Sequence, residues 1–219
     1  MPLPNIVTPE FVTNLPSTKQ QIKFRPFLVK EEKVLLMAQE GKDPNEIQNA
    51  VVNILQACIL DDIDITSLPL FDIEWLFLQL RSKSVSEVIE LSFRHAEKED
   101  CNHLNNVEIN VEDIKIVYNE KHTNKIPLEK GVGIEMYYPS LRVAANFNAE
   151  SFSVQDVFDM IQNSVKSIYD ENQVYNDFTK EELTEFLDKL NQSHLKKFMD
   201  FFETMPKLKY QLKYKCEKC

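Results

Sequence analysis

The cysteines and histidines, four of each, are the residues of this chain with the widest chemical range. Cys216 and Cys219 stand three apart, the spacing at which one turn of backbone presents two thiolates to a zinc ion. Structural zinc takes four ligands, so this pair is half a site, the first knuckle of a zinc-ribbon-like binding module. Cys101 and His103, with His95 a few residues earlier, carry matching chemistry, but nothing in the sequence brings them to the tail. The competing reading is a solvent-exposed thiol pair without metal. A thioredoxin-like redox role lacks the strand-to-helix setting such a motif needs. Without secretory features, the four cysteines are expected to be reduced rather than bridged.

Thiol catalysis needs a base within hydrogen-bond reach of the nucleophile and a third group orienting that base. Cys58 falls on an apolar helical stripe, which assigns it to packing, while Cys101, His103, His122 and His194 are scattered over polar stretches. Most of the 35 carboxylates sit at helical spacing from lysines, so none stands out as a general acid. Phosphate-cradling loops need several glycines. Of three here, Gly41 is alone, and Gly131 and Gly133 share one short turn. The expectation is a protein with no catalytic residue, no small-molecule substrate and no cofactor apart from zinc at Cys216 and Cys219.

A net charge of −10 argues against nucleic-acid binding, which draws on a basic surface. From Lys189 onward, eight lysines face Asp200, Glu203 and Glu217, a local +5 that leaves about −15 elsewhere. In the last thirteen residues Lys207, Lys209, Gln211, Lys213 and Lys215 alternate with Leu208, Tyr210, Leu212 and Tyr214, one cationic and one apolar face of a strand. Lysine is common on edge strands, and no later strand follows to cover this one, which points to addition to a partner's sheet. Phe198, Phe201 and Phe202 lie close by and read equally as core or as anchors of a partner groove. The partner-binding candidates are therefore Lys207, Lys209, Tyr210, Leu212, Lys213, Tyr214, Phe198 and Phe202. No apolar run approaches the roughly 18 residues that span a bilayer, and residues 1–5 lack a signal pattern. No membrane partner is expected, and the protein should be soluble and intracellular when made.

Residues 9–25 read as a hairpin turning at Pro16 and Ser17, with Ile22 and Phe24 alternating on the way out. Pro26 ends the second strand, because it has no N–H for a ladder. A helix then starts near Lys30, with Val34, Leu35 and Ala38 on one side. Asp43 caps another helix at Pro44, whose stripe is Ile47, Val51, Ile54 and Cys58. Asp72 opens a central helix through Ile73, Leu76, Phe77 and Leu80. Ser84 and Glu87 have capping-box spacing for a further helix with Val85, Val88, Ile89 and Ser92 inward. From about residue 104 apolar residues alternate up to Tyr138, an antiparallel meander. Helical spacing returns with Val154, Val157, Phe158, Ile161, Val165 and Ile168, then with a capping box at Thr179 and Glu182, then with Leu195, Phe198, Met199 and Phe202.

These elements predict an α+β fold, mostly helical, with an N-terminal hairpin, a small central antiparallel sheet and a C-terminal basic strand. Residues 1–103 would form the hairpin and helical part, 104–150 the sheet, and 151–219 the C-terminal helices and strand. The words Arg25-Pro26-Phe27-Leu28 followed by Lys30-Glu31-Glu32-Lys33 give the chain a structural signature in Arg25, Pro26 and Phe27. With Leu15-Pro16-Ser17-Thr18, Phe77 to Val85 and Met205-Pro206-Lys207-Leu208, they make it resemble the baseplate proteins of T4-type contractile-tailed phages, a family tied to assembly of the tail hub. The resemblance implies a non-enzymatic tail protein that touches hub and central-spike components, made in the host cytoplasm and carried in the virion baseplate, with oligomerisation open. It equally admits a transient assembly chaperone, for example of the tape measure, that leaves before the virion is complete.

Overall fold

A computed structural model describes residues 7–94, 101, 103–144, 154–216 and 218. The elements in order are β1 (Phe11–Asn14), β2 (Gln21–Phe24), α1 (Val29–Gly41), α2 (Pro44–Cys58), α3 (Leu70–Ser84), β3 (Val88–Phe93), β4 (Asn105–Asn110), β5 (Lys115–Val117), β6 (Lys125–Pro127), β7 (Gly133–Met136), α4 (Leu141–Ala144), α5 (Val154–Ser164), β8 (Val165–Tyr169), β9 (Val174–Tyr175), α6 (Lys180–Leu187), α7 (Gln192–Thr204) and β10 (Lys207–Lys209). The α+β class and the N-terminal hairpin are as the sequence indicates. The chain divides into two compact units. One comprises residues 1–65, 71–116 and 208–219, the other 66–70 and 117–207. Neither follows the consecutive stretches 1–103, 104–150 and 151–219.

In the first unit β1 and β2 pair antiparallel, Phe11 opposite Phe24 and Asn14 opposite Gln21. The hairpin's turn is fastened to α3. Asp72 is fully buried and accepts hydrogen bonds from the Ser17 N–H (3.0 Å) and the Ser17 hydroxyl. Trp75 Nε1, one turn along α3, donates to Thr13 Oγ1 at 3.1 Å. Helix α2 starts as its sequence dictates, with Asp43 accepting from Asn45 N and Pro44 where a missing N–H costs least. Its buried residues are Ala50, Val52, Ile54, Leu55 and Cys58, and Ile22 and Phe24 of the hairpin and Phe71, Ile73, Leu76 and Leu80 of α3 are buried in the same unit. Each fully buried Leu, Ile or Phe stabilises the folded chain by about 1.5–3 kcal/mol.

The second unit is built on an antiparallel sheet in the order β6-β7-β8-β9. β6 and β7 join through Lys130 and Gly131, both at positive φ (52° and 78°), with Val132 N donating to Glu129 O at 2.9 Å. This primed turn matches the strands' own twist, and glycine adopts it without strain. Ile126, Ile134, Met136 and Ile168 of the sheet pack with Ile161 of α5, Leu183 and Leu187 of α6, and Phe198, Phe201 and Phe202 of α7. The capping box at α6 forms as its spacing predicts, Thr179 N to Glu182 Oε2 at 2.7 Å and Glu182 N to Thr179 Oγ1 at 3.2 Å.

Three sequence expectations are corrected. Residues 85–92 are not a helix. α3 continues through Ser84, whose hydroxyl donates back to Leu80 O (2.6 Å), and Val88–Phe93 becomes a strand facing β4, with Ile89 opposite Ile109 and Leu91 opposite Val107. Two β-branched residues and a phenylalanine with cross-strand apolar partners outweigh a local capping signal. Val165 and Ile168 are likewise in strand β8, since α5 stops at Ser164 and β7 and β9 flank the segment. The alternating residues from 104 to 138 do not form one meander: β4 pairs with β3, β5 with β10, and β6 and β7 enter the four-stranded sheet.

Asp72 should matter as an acceptor rather than as a charge, because burial pushes its carboxyl up against the pull of the Ser17 hydrogen bonds. Asp72→Ala, which leaves the Ser17 N–H unpaired, is expected to cost roughly 1–3 kcal/mol in urea unfolding. Asp72→Asn keeps an acceptor oxygen and should cost less; equal losses in the two variants would refute the assignment.

Candidate functional site

The Arg25-Pro26-Phe27 signature lies where three elements of the first unit converge. After Phe24 the hairpin strand touches the chain leaving α2: Phe24 bridges Ile59, Arg25 N donates to Cys58 O (3.0 Å), and Leu60 N donates to Lys23 O (2.9 Å). The Arg25 guanidinium spreads over the same junction. Its Nη2 reaches Glu31 Oε1 (3.0 Å) and Ala57 O (2.9 Å), and its Nη1 reaches Pro26 O (2.9 Å) and Cys58 Sγ (3.6 Å). Glu31, in the first turn of α1, also accepts from Leu28 N at 2.8 Å, which satisfies a free N–H at the helix start. Phe27 N is held by Ser84 Oγ at 3.0 Å. Burial pushes the Glu31 carboxyl up, but the Arg25 hydrogen bond, the Leu28 N–H and the Arg25 charge together outweigh it and hold the group below the ordinary carboxylate range. Glu31 was not singled out from the sequence; its only signal was an acidic residue in the first turn after the proline.

The C-terminal candidates divide. Phe198 and Phe202 are 1% and 9% exposed inside the core of the second unit, so of the two readings open for them the structure carries core packing. Lys207, Lys209, Tyr210 and Lys213 are exposed, as is Tyr214, and Leu212 is half-buried. The strand expected through this stretch is confined to Lys207–Lys209, and it has a neighbour within the chain, β5. A ladder runs only as far as its partner's backbone, and β5 is itself three residues long. Beyond it, the Tyr214 ring stacks on Phe93 with centroids 5.7 Å apart, and Cys216 Sγ lies 3.9 Å from Cys101 Sγ. Cys219 and His95 lie outside the described residues. His103 O, with Phe93 O, accepts from Asn105 Nδ2.

The other titratable candidates are built into the packing. Cys58 is fully buried, and burial, against a smaller opposing effect of Arg25, pushes its thiol up to about 11. It stays a neutral thiol near neutral pH, unsuited to nucleophilic attack. His122 in the second unit is sandwiched with Tyr138 and Phe201 (ring centroids 5.6 and 5.1 Å), and its Nδ1 lies 2.9 Å from Thr204 Oγ1. Desolvation pushes its pKa down, which favours a neutral ring. His194 is buried at the start of α7, where Asn191 Oδ1 accepts from its N–H at 3.1 Å.

Helix α1 presents a surface the sequence reading missed. Of Val34, Leu35 and Ala38, only Ala38 is buried, whereas Val29 is 81% and Met37 62% exposed, with Leu36 and Val34 exposed as well. Val29, Leu36 and Met37 fall seven and eight residues apart, on one side of the helix. The signal was present: apolar residues at Val34, Leu35, Leu36 and Met37 run round the helix, so one flank cannot be covered by α2 alone. This flank can bury against another protein.

A family model described as T4 bacteriophage base plate protein matches residues 8–219. No curated protein sequence and no solved structure shows a significant match.

The Arg25 junction makes a pH-dependent prediction. A carboxyl held below its unfolded pKa contributes stability that is complete above that value and is lost as pH falls through the folded one. Between about pH 5 and pH 3, wild type should therefore lose more stability in urea unfolding than Glu31→Gln does. Near neutral pH, Glu31→Ala removes one partner of a part-buried ion pair and should cost roughly 1–3 kcal/mol. Parallel acid profiles for wild type and Glu31→Gln would exclude the ion pair as a source of stability.

Proposed function

The chain belongs to the T4 bacteriophage base plate protein family, and from that membership we propose that it works at the baseplate hub or in the hub's assembly, by burying surface against neighbouring tail proteins rather than by catalysis. The observation that carries this reading is the exposed apolar flank of α1. An isolated chain that shows Val29, Leu36 and Met37 to water gains by covering them, and the interior of a protein interface is where such side chains end up.

Charge supports the same reading. The lysine row at Lys207, Lys209 and Lys213 is exposed on a chain of net charge −10, so it attracts an acidic neighbour and orients it without general affinity for anions. In the second unit a cleft of about 400 Å³ sets Lys121, Lys125 and Lys197, with Asp200 among them, around Ile126, Pro127 and Phe201, a rim of net positive charge over an apolar floor. Interfaces use such rims for rate and orientation and the apolar centre for affinity.

The reading is tested in phage assembly. Purified tails should contain this chain at a fixed stoichiometry by mass spectrometry, and Val29→Glu combined with Met37→Glu should remove it from them while the isolated variant keeps its helical circular dichroism. Lys207→Glu with Lys209→Glu and Lys213→Glu should slow association more than it speeds dissociation, with the wild-type rate falling as salt rises. Normal incorporation of the α1 double variant would overturn the proposal, and stoichiometric absence from finished tails would convert the role to that of a departing chaperone.

A further inference from the structure

The lysine-rimmed cleft of the second unit, between β6 and α7, is closed to one kind of partner. β6 is an edge strand of the four-stranded sheet. Leu128 N donates to Val132 O and Met136 N to Asn124 O, so the even-numbered residues turn their backbone toward β7, and Lys125 and Pro127 turn theirs outward. Each outward group is either satisfied or missing. Thr123 Oγ1 lies 3.2 Å from Lys125 N and 3.4 Å from Lys125 O, Pro127 has no N–H, and Pro127 O accepts from Lys197 Nζ at 2.6 Å. A strand cannot be added here, and whatever enters the cleft must bind through side chains. On its rim Lys121, Lys125 and Lys197 outnumber Asp200, over a floor of Ile126, Pro127 and Phe201. The cleft therefore calls for a protruding segment that carries carboxylates beside exposed apolar side chains.

The chain has such a segment at the other edge of the same sheet, where residues 170–173 join β8 to β9. From Asp170 to Thr179 the sequence holds three carboxylates, Asp170, Glu171 and Asp177, and no lysine or arginine. Glu171 and Asp177 are exposed, and Val174 and Tyr175 between them are 59% and 40% exposed. The tip is tied down internally. Asp170 Oδ1 accepts from Asn172 N (2.7 Å) and Gln173 N (2.9 Å), Asp170 Oδ2 accepts from the Tyr175 hydroxyl (2.8 Å), and Asp170 N donates to Gln173 O (3.0 Å). A protrusion held in this way loses little freedom on docking. Three strand spacings, about 14 Å, separate the two edges, which face away from each other, so the hairpin cannot fill the cleft of its own chain. We propose that the β8–β9 hairpin of one copy docks into the β6–α7 cleft of a second copy and joins the chains head to tail. The proposal rests on the reading of that cleft as a docking surface and names its occupant. Because the two surfaces differ, each contact leaves one hairpin and one cleft free, and it repeats into a ring or an open chain.

Sedimentation velocity on the full chain, up to about 1 mM subunit, should give a sedimentation coefficient that rises with concentration past that of a dimer and falls back as salt rises. Lys121→Glu with Lys125→Glu sets carboxylates against carboxylates, and Glu171→Lys with Asp177→Lys sets lysines against lysines. Each variant alone should associate at least about tenfold more weakly than wild type. Mixed in equal amounts, the two variants meet opposite charges again and should regain most of the wild-type association. Circular dichroism checks the fold of each; where a reversal unfolds the chain, Lys121→Gln with Lys125→Gln only removes charge and should weaken association in the same sense. Val29→Glu with Met37→Glu, on α1, should self-associate as wild type does. Wild type that stays monomeric, association unchanged by either reversal, a mixture no stronger than its components, or loss of association in the α1 variant would each overturn the proposal. The wider role among tail proteins is read by incorporation into tails and is untouched by these outcomes.

Discussion

The first unit depends on finding acceptors for one half-buried cation, the Arg25 guanidinium. A guanidinium removed from water keeps five donors that must be satisfied in nearly fixed directions. Arg25 directs four of them, from Nη1 and Nη2, to its own neighbour's carbonyl at Pro26, the last turn of α2 at Ala57, the Cys58 sulfur and the Glu31 carboxylate. No two of these elements can shift independently without stranding a donor. The proline next to the arginine serves the same end. Having no N–H, Pro26 terminates the ladder just where the chain must leave the hairpin, and its carbonyl stays available to the Arg25 side chain. Lysine at this position would present a point charge in place of a fork and could not hold three backbone or side-chain acceptors in one plane.

Rigidity at that junction bears on how a surface protein works. Helix α1 begins at the Glu31 end of the cluster, so its first turn is fixed while its outward flank stays apolar and uncovered. A flank held in one orientation loses less conformational freedom on docking than one that must first be ordered. The hairpin turn, fastened through Ser17 to the buried Asp72, gives α3 the same definition from the other side. Arg25 thus fixes the first turn of α1 through Glu31 and takes no part in that helix's exposed flank.

What could be read from sequence were features decided within a few residues. Asp43 with Pro44 announced α2, Thr179 with Glu182 announced α6, and Pro26 announced the end of β2, because caps and missing N–H groups act locally. What could not be read was decided by distant partners. Val88–Phe93 and Val165–Tyr169 have helical spacing as readily as strand spacing, and only the arrival of β4, or of β7 and β9, settles the matter. The role of Arg25 was hidden for the same reason: Ala57 and Cys58 lie more than thirty residues away. The Cys216 pair and the matching chemistry of Cys101 were both visible but their meeting was not, since spacing within a motif says nothing of two segments 115 residues apart.

The tail shows why such long-range contacts matter. Residues 210–216 belong to no strand, yet they occupy defined positions. Fixing each backbone residue opposes folding by about 1–2 kcal/mol, while a stacked aromatic pair such as Tyr214 on Phe93 returns about 0.5–1.5 kcal/mol. Half-buried Leu208 and Leu212 add only part of a leucine's full burial. A segment so weakly held along its length is most effectively ordered by a strong constraint near its end, because one bond there restricts every residue between it and β10. At that end Cys216 Sγ lies 3.9 Å from Cys101 Sγ. An acidic protein that displays a row of lysines to a neighbour gains orientation from that row only if the row itself is fixed, which ties the thiols at the tail's end to the charge along its length.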